Sequence, residues 1–216
     1  EEVESRIKNK EWKHKWLIGW RDITNATNER TVISGIVPRV GCGDTFLLMF
    51  PSETNQTLFA CLLACLNSLS QDYCARQKIG GTHLKYNMFK QLAILPPRGY
   101  SYESLSFIKP RVLELTFTSE AMRPFAEDLG YQGPPFRWDP ERRAYLKAEL
   151  DAYYARLYGL TRDELRYILD PADVKGEDYP SETFRVLKKN EIQNFGEYRT
   201  ARSVLQAWDR QNEIEQ

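Results

Sequence analysis

The fold is decided by residues 12–50, which read WKHKWLIGWRDITNATNERTVISGIVPRVGCGDTFLLMF. Three runs in this stretch, at 16–20, 31–37 and 45–50, are rich in β-branched and aromatic residues and are separated by polar or glycine-rich breaks. Runs of this length and composition are typical of β-strands. The stretch therefore predicts three strands of a small sheet.

A long apolar segment follows these strands. Residues 58–69 are apolar almost all the way round, over a length too great for one strand, with possible caps at Ser52 and Thr54. We therefore expect one buried helix over about residues 55–77. It is expected to end at Lys78-Ile79-Gly80-Gly81, where the two glycines permit a left-handed turn and a close approach of the backbone.

A further strand is predicted at Leu92-Ala93-Ile94-Leu95, where Pro96 and Pro97 stop it. The rest of the chain is mostly helical by its caps and apolar spacing, apart from an ambiguous stretch at 110–118. Helices are predicted over about residues 119–129, 140–158, 161–169, 181–195 and 198–212. The fold class is α+β: a mixed small-sheet recognition domain with a buried helix at 1–98, then a mainly α-helical C-terminal region at 99–216.

The bulk properties predict a soluble, cytoplasmic protein. No apolar run approaches the roughly 18 residues of a membrane span, so we expect no membrane partner. The four cysteines include no C-x-x-C pair, which favours reduced thiols over a zinc site. Because the sequence opens on Glu1-Glu2-Val3 without a Met, we expect a piece of a longer protein.

Charge is divided unevenly along the chain, although 30 basic residues balance 30 acidic residues overall. Residues 1–100 carry 13 Lys and Arg against 9 Asp and Glu, or +4, and the remainder carries 17 against 21, or −4. A neutral total counts against an autonomous nucleic-acid binder, for which a basic domain is expected. The first half is therefore the candidate DNA face.

Motifs of catalysis are missing from the sequence. The N/D-P-P-Y/F loop of an adenine methyltransferase has only Pro134-Pro135-Phe136 as a near match, and Gly133 stands where the polar residue should be. Nuclease, P-loop, metalloprotease and hydrolase signatures are also absent. We therefore expect this chain to be non-catalytic and to need no cofactor of its own.

Three polar or basic segments remain as recognition candidates. Residues 21–30 are dense in the Arg and Asn side chains that pair with guanine and adenine edges in the major groove, although such a loop can also be a turn with self-satisfied hydrogen bonds. Residues 78–81 place a cation beside backbone N–H groups, which suits a phosphate as well as a helix end. Basic residues of 8–15 interleave with Trp12 and Trp16 and suit either a phosphate backbone or a solvated face.

Several strings in this chain resemble one family of proteins. In the first half they are Trp20-Arg21-Asp22-Ile23, Thr27-Asn28-Glu29-Arg30-Thr31, Leu66-Asn67-Ser68-Leu69 and Lys78-Ile79-Gly80-Gly81, running on to Leu95-Pro96-Pro97. In the second half they are Phe136-Arg137-Trp138-Asp139-Pro140-Glu141-Arg142-Arg143, Glu149-Leu150-Asp151-Ala152, Leu157-Tyr158-Gly159-Leu160-Thr161-Arg162-Asp163-Glu164-Leu165, Tyr167-Ile168-Leu169-Asp170 and Glu197-Tyr198-Arg199-Thr200. They are similar to the target-recognition domains and C-terminal helical extension of type IIG restriction-modification enzymes and related phage-defence adenine methylases.

This resemblance implies a division of labour in a longer enzyme. An upstream methyltransferase domain of the same polypeptide would bind S-adenosylmethionine and methylate the N6 atom of adenine, while this region grips double-stranded DNA and selects the sequence. The residues expected to reach base edges or nearby phosphates are Arg21, Thr24, Asn25, Asn28 and Arg30. Those expected to hold the DNA backbone are Lys78, Gly80, Gly81, His83 and Lys85.

Other functions remain open. The acidic helical half also suits a protein–protein scaffold that docks the methylase domain or a partner of a defence complex. An unrecognised nuclease or other enzyme is a weaker alternative because its motifs are missing. Salt-dependent binding to duplex DNA would distinguish DNA recognition from the scaffold function, and metal-dependent cleavage of a plasmid would reveal a nuclease.

Overall fold

The structure is a computed structural model with the α+β architecture that the sequence predicts. It describes residues 2–53, 55–180 and 183–214. The three predicted strands are present as β1 (Trp16–Arg21), β2 (Ser34–Pro38) and β3 (Phe46–Met49). They form an antiparallel sheet in the order β2-β1-β3.

The middle strand β1 is covered on both faces, since every residue from Trp16 to Trp20 is buried. Gly19 lets β3 approach β1. A Cβ at this position would lie 2.3 Å from the carbonyl oxygen of Leu47 and 2.7 Å from the ring of Phe46. A larger residue would therefore push the two strands apart.

Helices make up most of the remaining chain. The α-helices are α1 (Glu2–Lys8), α2 (Gln56–Asn67), α3 (Leu69–Arg76), α4 (Tyr86–Phe89), α5 (Tyr102–Thr116), α6 (Arg123–Asp128), α7 (Pro140–Leu157), α8 (Arg162–Leu169), α9 (Pro171–Lys175), α10 (Arg185–Phe195) and α11 (Arg199–Ile214). Short 3-10 helices occur at Pro97–Gly99 and Glu120–Met122.

The prediction of a single helix over about residues 55–77 is wrong, because this segment forms two helices, α2 and α3. Ser68 separates them with extended backbone at φ −72° and ψ 149°. Its hydroxyl donates to the carbonyl of Cys65 at 2.8 Å and accepts from the N–H of Gln71 at 3.3 Å, which caps α3. The N-cap of α2 is Asn55, and Thr54, one of the predicted caps, lies outside the described residues.

The segment after α3 also differs from its prediction. Leu92–Leu95 is not a strand, and the N–H of Ile94 donates locally to the carbonyl of Leu92 at 2.9 Å. Gly80 and Gly81 do not form the left-handed turn that glycines permit, because neither has a positive φ. A Cβ on either would meet no atom within 4 Å, so neither position requires a glycine for space.

Helix α5 covers most of the stretch that was ambiguous in sequence. Pro110 lies inside this helix, and a proline lacks the N–H that an interior helical position donates. The helix is retained because its buried residues, among them Ile108 and Val112, pack in the main core. Tertiary packing therefore outweighs the local cost of the proline.

The caps predicted for the later helices are present. Asp139 accepts hydrogen bonds from the N–H groups of Glu141 and Arg142 at the start of α7. Thr161 and Glu164 form the predicted capping box of α8. α10 ends at the left-handed Gly196, with φ 75°, and its predicted start at Ser181 lies outside the described residues.

Three hydrophobic clusters converge at the break between α2 and α3. Cys65 belongs to the main cluster, which joins β1 and α2 to α5, α6 and α7. Leu66 belongs to a cluster with Trp20 and Leu84, and Leu69 belongs to a cluster with α7, α8 and α11. The main cluster thus draws on both sides of residue 98, while the domain boundary placed there stays a prediction.

Candidate nucleic-acid interface

The polar loop between β1 and β2 is folded on itself at its beginning. Thr24 is buried, and its hydroxyl donates to the carbonyl of Thr31 at 2.6 Å. The side-chain oxygen of Asn25 accepts from the N–H of Thr27 at 2.8 Å and from its hydroxyl at 2.7 Å. Thr24 and the acceptor end of Asn25 are therefore engaged inside the loop, as in an Asx turn.

The end of the loop is attached to α2. Arg30 is half-buried, and its guanidinium donates to the carbonyl of Asn67 at the last position of that helix. The side chain of Asn67 accepts from the N–H of Ser34 at 3.1 Å and donates to the carbonyl of the same residue at 3.1 Å. The side-chain amide of Asn67 thus provides a hydrogen-bond partner for both the N–H and the carbonyl of Ser34, the first residue of β2.

A buried ion pair in α3 holds the middle of the loop. Arg76 donates to the carbonyls of Ala26, Asn28 and Glu29 at 2.7, 2.8 and 2.9 Å. Its guanidinium also donates twice to Oδ2 of Asp72, at 3.1 and 3.0 Å. Burial lowers the pKa of Arg76, and the adjacent carboxylate opposes that change.

The same carboxylate holds the loop from the other side. Oδ1 of Asp72 accepts from the N–H groups of Thr31 and Val32 at 2.8 and 2.6 Å. Both side chains of the ion pair are almost fully buried, with exposures of 0% for Asp72 and 5% for Arg76. The backbone of the loop is therefore hydrogen-bonded on both sides by two almost fully buried side chains.

Asp22 connects two of the predicted recognition segments, the polar loop and the segment that begins at Lys78. Its carboxylate is 2% exposed and accepts from Lys85 at 2.6 Å, with His83 Nδ1 at 3.0 Å. The N–H of Leu84 donates to the backbone carbonyl of Asp22 at 2.8 Å. Desolvation of the carboxyl raises its pKa, but hydrogen bonds from Lys85 and His83 outweigh it and leave the pKa lowered.

The remaining predicted residues differ in exposure. Arg21, Lys78, Gly80 and Gly81 are exposed, and Asn28 is half-buried. The side chains of His83 and Lys85 keep about half of their surface exposed, at 51% and 53%. In the described part of the chain, the side chains of Arg21 and Lys78 make no hydrogen bond or ion pair. Positive charge is therefore left at the surface beside the loop.

The basic N-terminal segment separates into two kinds of residue. Trp12 and Trp16 are buried and belong to the main core, and His14 pairs with Asp128 at 2.7 Å. The lysines, in contrast, are all exposed. They are Lys8, Lys10, Lys13 and Lys15. The tryptophans have no surface for stacking on bases, and the lysines are the accessible part of this segment.

Sequence reasoning missed the residues that shape the loop. Asp22, Asp72 and Arg76 were not singled out, although each is buried and charged. Asp72 and Arg76 stand four residues apart after an apolar run, which places them on one side of a helix. That spacing is the signal that would have found them, but their backbone partners at 26–32 cannot be read from it.

The described residues contain no group of three or more His, Cys, Asp or Glu side chains placed to hold a metal ion. No helix among them is long and apolar enough to cross a membrane. An apolar cavity of about 170 Å³ lies between α2 and residues 94–100, away from every predicted site residue.

In comparisons with known proteins, no family model, no curated protein and no solved structure matched the chain.

Proposed function

We propose that this chain binds double-stranded DNA and selects its sequence for an adenine-specific methyltransferase domain upstream in the same polypeptide. In this proposal S-adenosylmethionine and the methyl transfer belong to that upstream domain. The supporting observation is the loop at 22–33, which buried Arg76, Asp72 and Asp22 hold in place beside exposed cations. The family resemblance of the sequence points the same way.

The rigidity of the loop matters for recognition. A loop that is already ordered loses little conformational entropy on binding, so more of its contact energy appears as affinity. Specific base readout also requires side chains that are held in register with the base edges. Arg21, at the end of β1, and Asn28, in the loop, are best placed for this role, because neither side chain makes a hydrogen bond among the described residues.

The second segment supplies charge. Lys78, His83 and Lys85 are exposed, contacts with Asp22 orient the last two, and the ammonium groups of Lys78 and Lys85 remain at the surface. Phosphate contacts of this kind provide affinity and register, while base contacts provide specificity. In the proposed complex Arg30 supports the end of the loop through Asn67.

Fluorescence anisotropy of a labelled duplex, measured over a series of salt concentrations, tests this function. Arg21→Ala should weaken binding to the cognate sequence by about 1–3 kcal/mol, and Lys78→Ala should weaken binding to all duplexes and reduce the salt slope by about 1. Lys175→Ala, which removes an exposed cation from α9, is the matched control. Wild-type protein without salt-dependent binding, or variants that both bind like the control, would overturn the proposal.

One observation favours the scaffold as a second candidate. Helix α10 has no buried residue among those described, and Ile192 and Phe195 are 46% and 54% exposed. Under this alternative the helix docks the methylase domain of the same polypeptide. Replacing both residues by Ser should then separate the two parts in limited proteolysis of the longer protein without changing DNA binding by the chain itself.

A further inference from the structure

The break between α2 and α3 brings the polar loop close to the middle of α7. Arg30 donates to the carbonyl of Asn67 on one side of the break. On the other side the N–H of Leu69 donates to Oδ1 of Asp151 at 2.7 Å. Because Asn67 and Leu69 are only two residues apart, the guanidinium of Arg30 and the carboxylate of Asp151 lie near one another.

Two cations lie on α7 between its start and Asp151. Lys147 and Arg143 precede Asp151 by four and eight residues, and such positions lie on one side of a helix. Lys147 is exposed and makes no hydrogen bond or ion pair within the described ranges. We call Trp138, Arg143 and Lys147 the α7 strip.

Arg143 and Trp138 form the far end of this strip. The guanidinium of Arg143 lies 3.7 Å from the ring centroid of Trp138 and donates to the carbonyl of Leu115 at 2.9 Å. These contacts hold the guanidinium of Arg143 in position. Trp138 itself is 61% exposed, which is unusual for a tryptophan in a folded surface and leaves much of its side chain open to a partner.

Two acidic side chains near the strip pair with other arginines. Glu114 binds Arg142 at 2.9 Å and Glu149 binds Arg111 at 3.0 Å. Asp151 is buried and accepts from the N–H of Leu69. Although Lys147 is exposed, desolvation of part of its side chain lowers its pKa, and the nearby cations of Arg143 and Arg30 lower it further, while Asp151 opposes this change. Arg143 and Lys147 therefore place two neighbouring positive charges on the strip, with Glu114 near the first and Asp151 near the second.

We infer that the α7 strip is a second DNA-contacting surface, on which Arg143 and Lys147 bind phosphates of the same duplex that the polar loop reads. The inference rests on the proposed function, and it adds the helical half of the chain to the interface. Charge complementarity favours the phosphate backbone as the partner. The attachment of Arg30 and Asp151 to one helix break favours a surface continuous with the loop.

The test compares Lys147→Gln with Lys175→Gln in the full protein. Each removes one exposed lysine charge from a helix of the C-terminal half. Lys147→Gln should weaken binding to all duplexes alike and reduce the slope of log affinity against log salt by about 1, whereas Lys175→Gln should leave both unchanged. Lys147→Arg should retain the wild-type slope, and thermal unfolding of each variant checks that the fold is intact.

The outcomes separate the two claims. If Arg21→Ala weakens binding while Lys147→Gln behaves like Lys175→Gln, the strip is not a DNA surface and the proposed function stands. If wild-type protein shows no salt-dependent binding to duplex DNA, the proposed function fails and this inference fails with it. If Lys147→Gln reduces the slope of log affinity against log salt and Lys175→Gln does not, the α7 strip is supported as a DNA-contacting surface.

Discussion

The guanidinium of Arg76 and the carboxylate of Asp72 share one buried site, at 3.1 Å from Nε and 3.0 Å from Nη2 to Oδ2. They lie one turn apart on α3, yet most of their other hydrogen bonds reach loop residues 26–32, and one from Arg76 reaches the carbonyl of Thr183 at 2.6 Å. This pair connects the fold to the proposed recognition loop. Its loss should therefore affect both stability and binding.

Arg76→Ala should lower the free energy of unfolding by about 3–5 kcal/mol, because Asp72 would remain as an uncompensated buried charge. Urea denaturation followed by circular dichroism measures the change. Arg6→Ala is the control, since Arg6 forms an exposed pair with Glu2 and should cost less than about 1 kcal/mol. Equal effects of the two substitutions would contradict the role given to the buried pair.

The pKa of Asp22 gives a pH dependence with a definite sign. Since the folded pKa lies below the unfolded value of about 3.9, the carboxylate contributes stability above that pH. The contribution is lost as the pH falls through the folded pKa. Wild-type protein should therefore exceed Asp22→Asn in urea midpoint at pH near 6, and the difference should narrow in acid. A difference that stays constant with pH would count against the ion pair.

Asp151 should show the opposite behaviour. Desolvation raises its pKa to about 6, so the fold disfavours the charged form. Stability from this group is present below the unfolded pKa and is lost as pH rises through about 6. Asp151→Asn should be more stable than wild type by about 1–3 kcal/mol near pH 7 and should lose that advantage near pH 4.

Urea titrations of Asp151→Asn at the two pH values give the measurement. Asp178→Asn, at an exposed position, is the charge-matched control and should change stability little at either pH. If Asp151→Asn is less stable than wild type near pH 7, the charged carboxylate stabilises the fold and the predicted sign is wrong.

Gly19→Ala should destabilise the sheet by about 1–3 kcal/mol or more, because the new methyl group would collide with the carbonyl of Leu47. Gly43→Ala is the matched control, since a Cβ at Gly43 meets no atom within 4 Å. Thermal unfolding of both variants provides the comparison. An equal, small effect at the two glycines would show that β3 can move away from β1 at little cost.

The strands and the capped helices could be predicted because their signals are local. The runs at 16–20 and 45–50 carry β-forming residues, and Thr161 with Glu164 forms a cap within four residues. Ser68 breaks its helix inside an apolar run, where periodicity alone shows no boundary. Leu92–Leu95 has the composition of a strand but pairs with no neighbouring strand in the described chain. Strand pairing depends on contacts that composition does not contain.

The candidate site was predictable only in outline. Its polar and basic residues stand out in sequence, and the structure brings His83 and Lys85 against the start of the 21–31 loop through Asp22. The inward direction of Thr24 was not predictable, because it depends on a carbonyl seven residues later. The role of Arg76 depends on partners as far as 50 and 107 residues away, at Ala26 and Thr183.

The meeting of three hydrophobic clusters at residues 65–69 limits how this protein can be engineered. A cassette ending at residue 98 would leave β1 and α2 without the apolar faces of α5, α6 and α7 that cover them. A chimera that exchanges the polar loop between related proteins must therefore carry those helices along, or keep α2 and α3 and graft only the loop. In the second design Asp72 and Arg76 would have to remain. Because they bond to the backbone of the loop, they are compatible with different side chains at the loop positions.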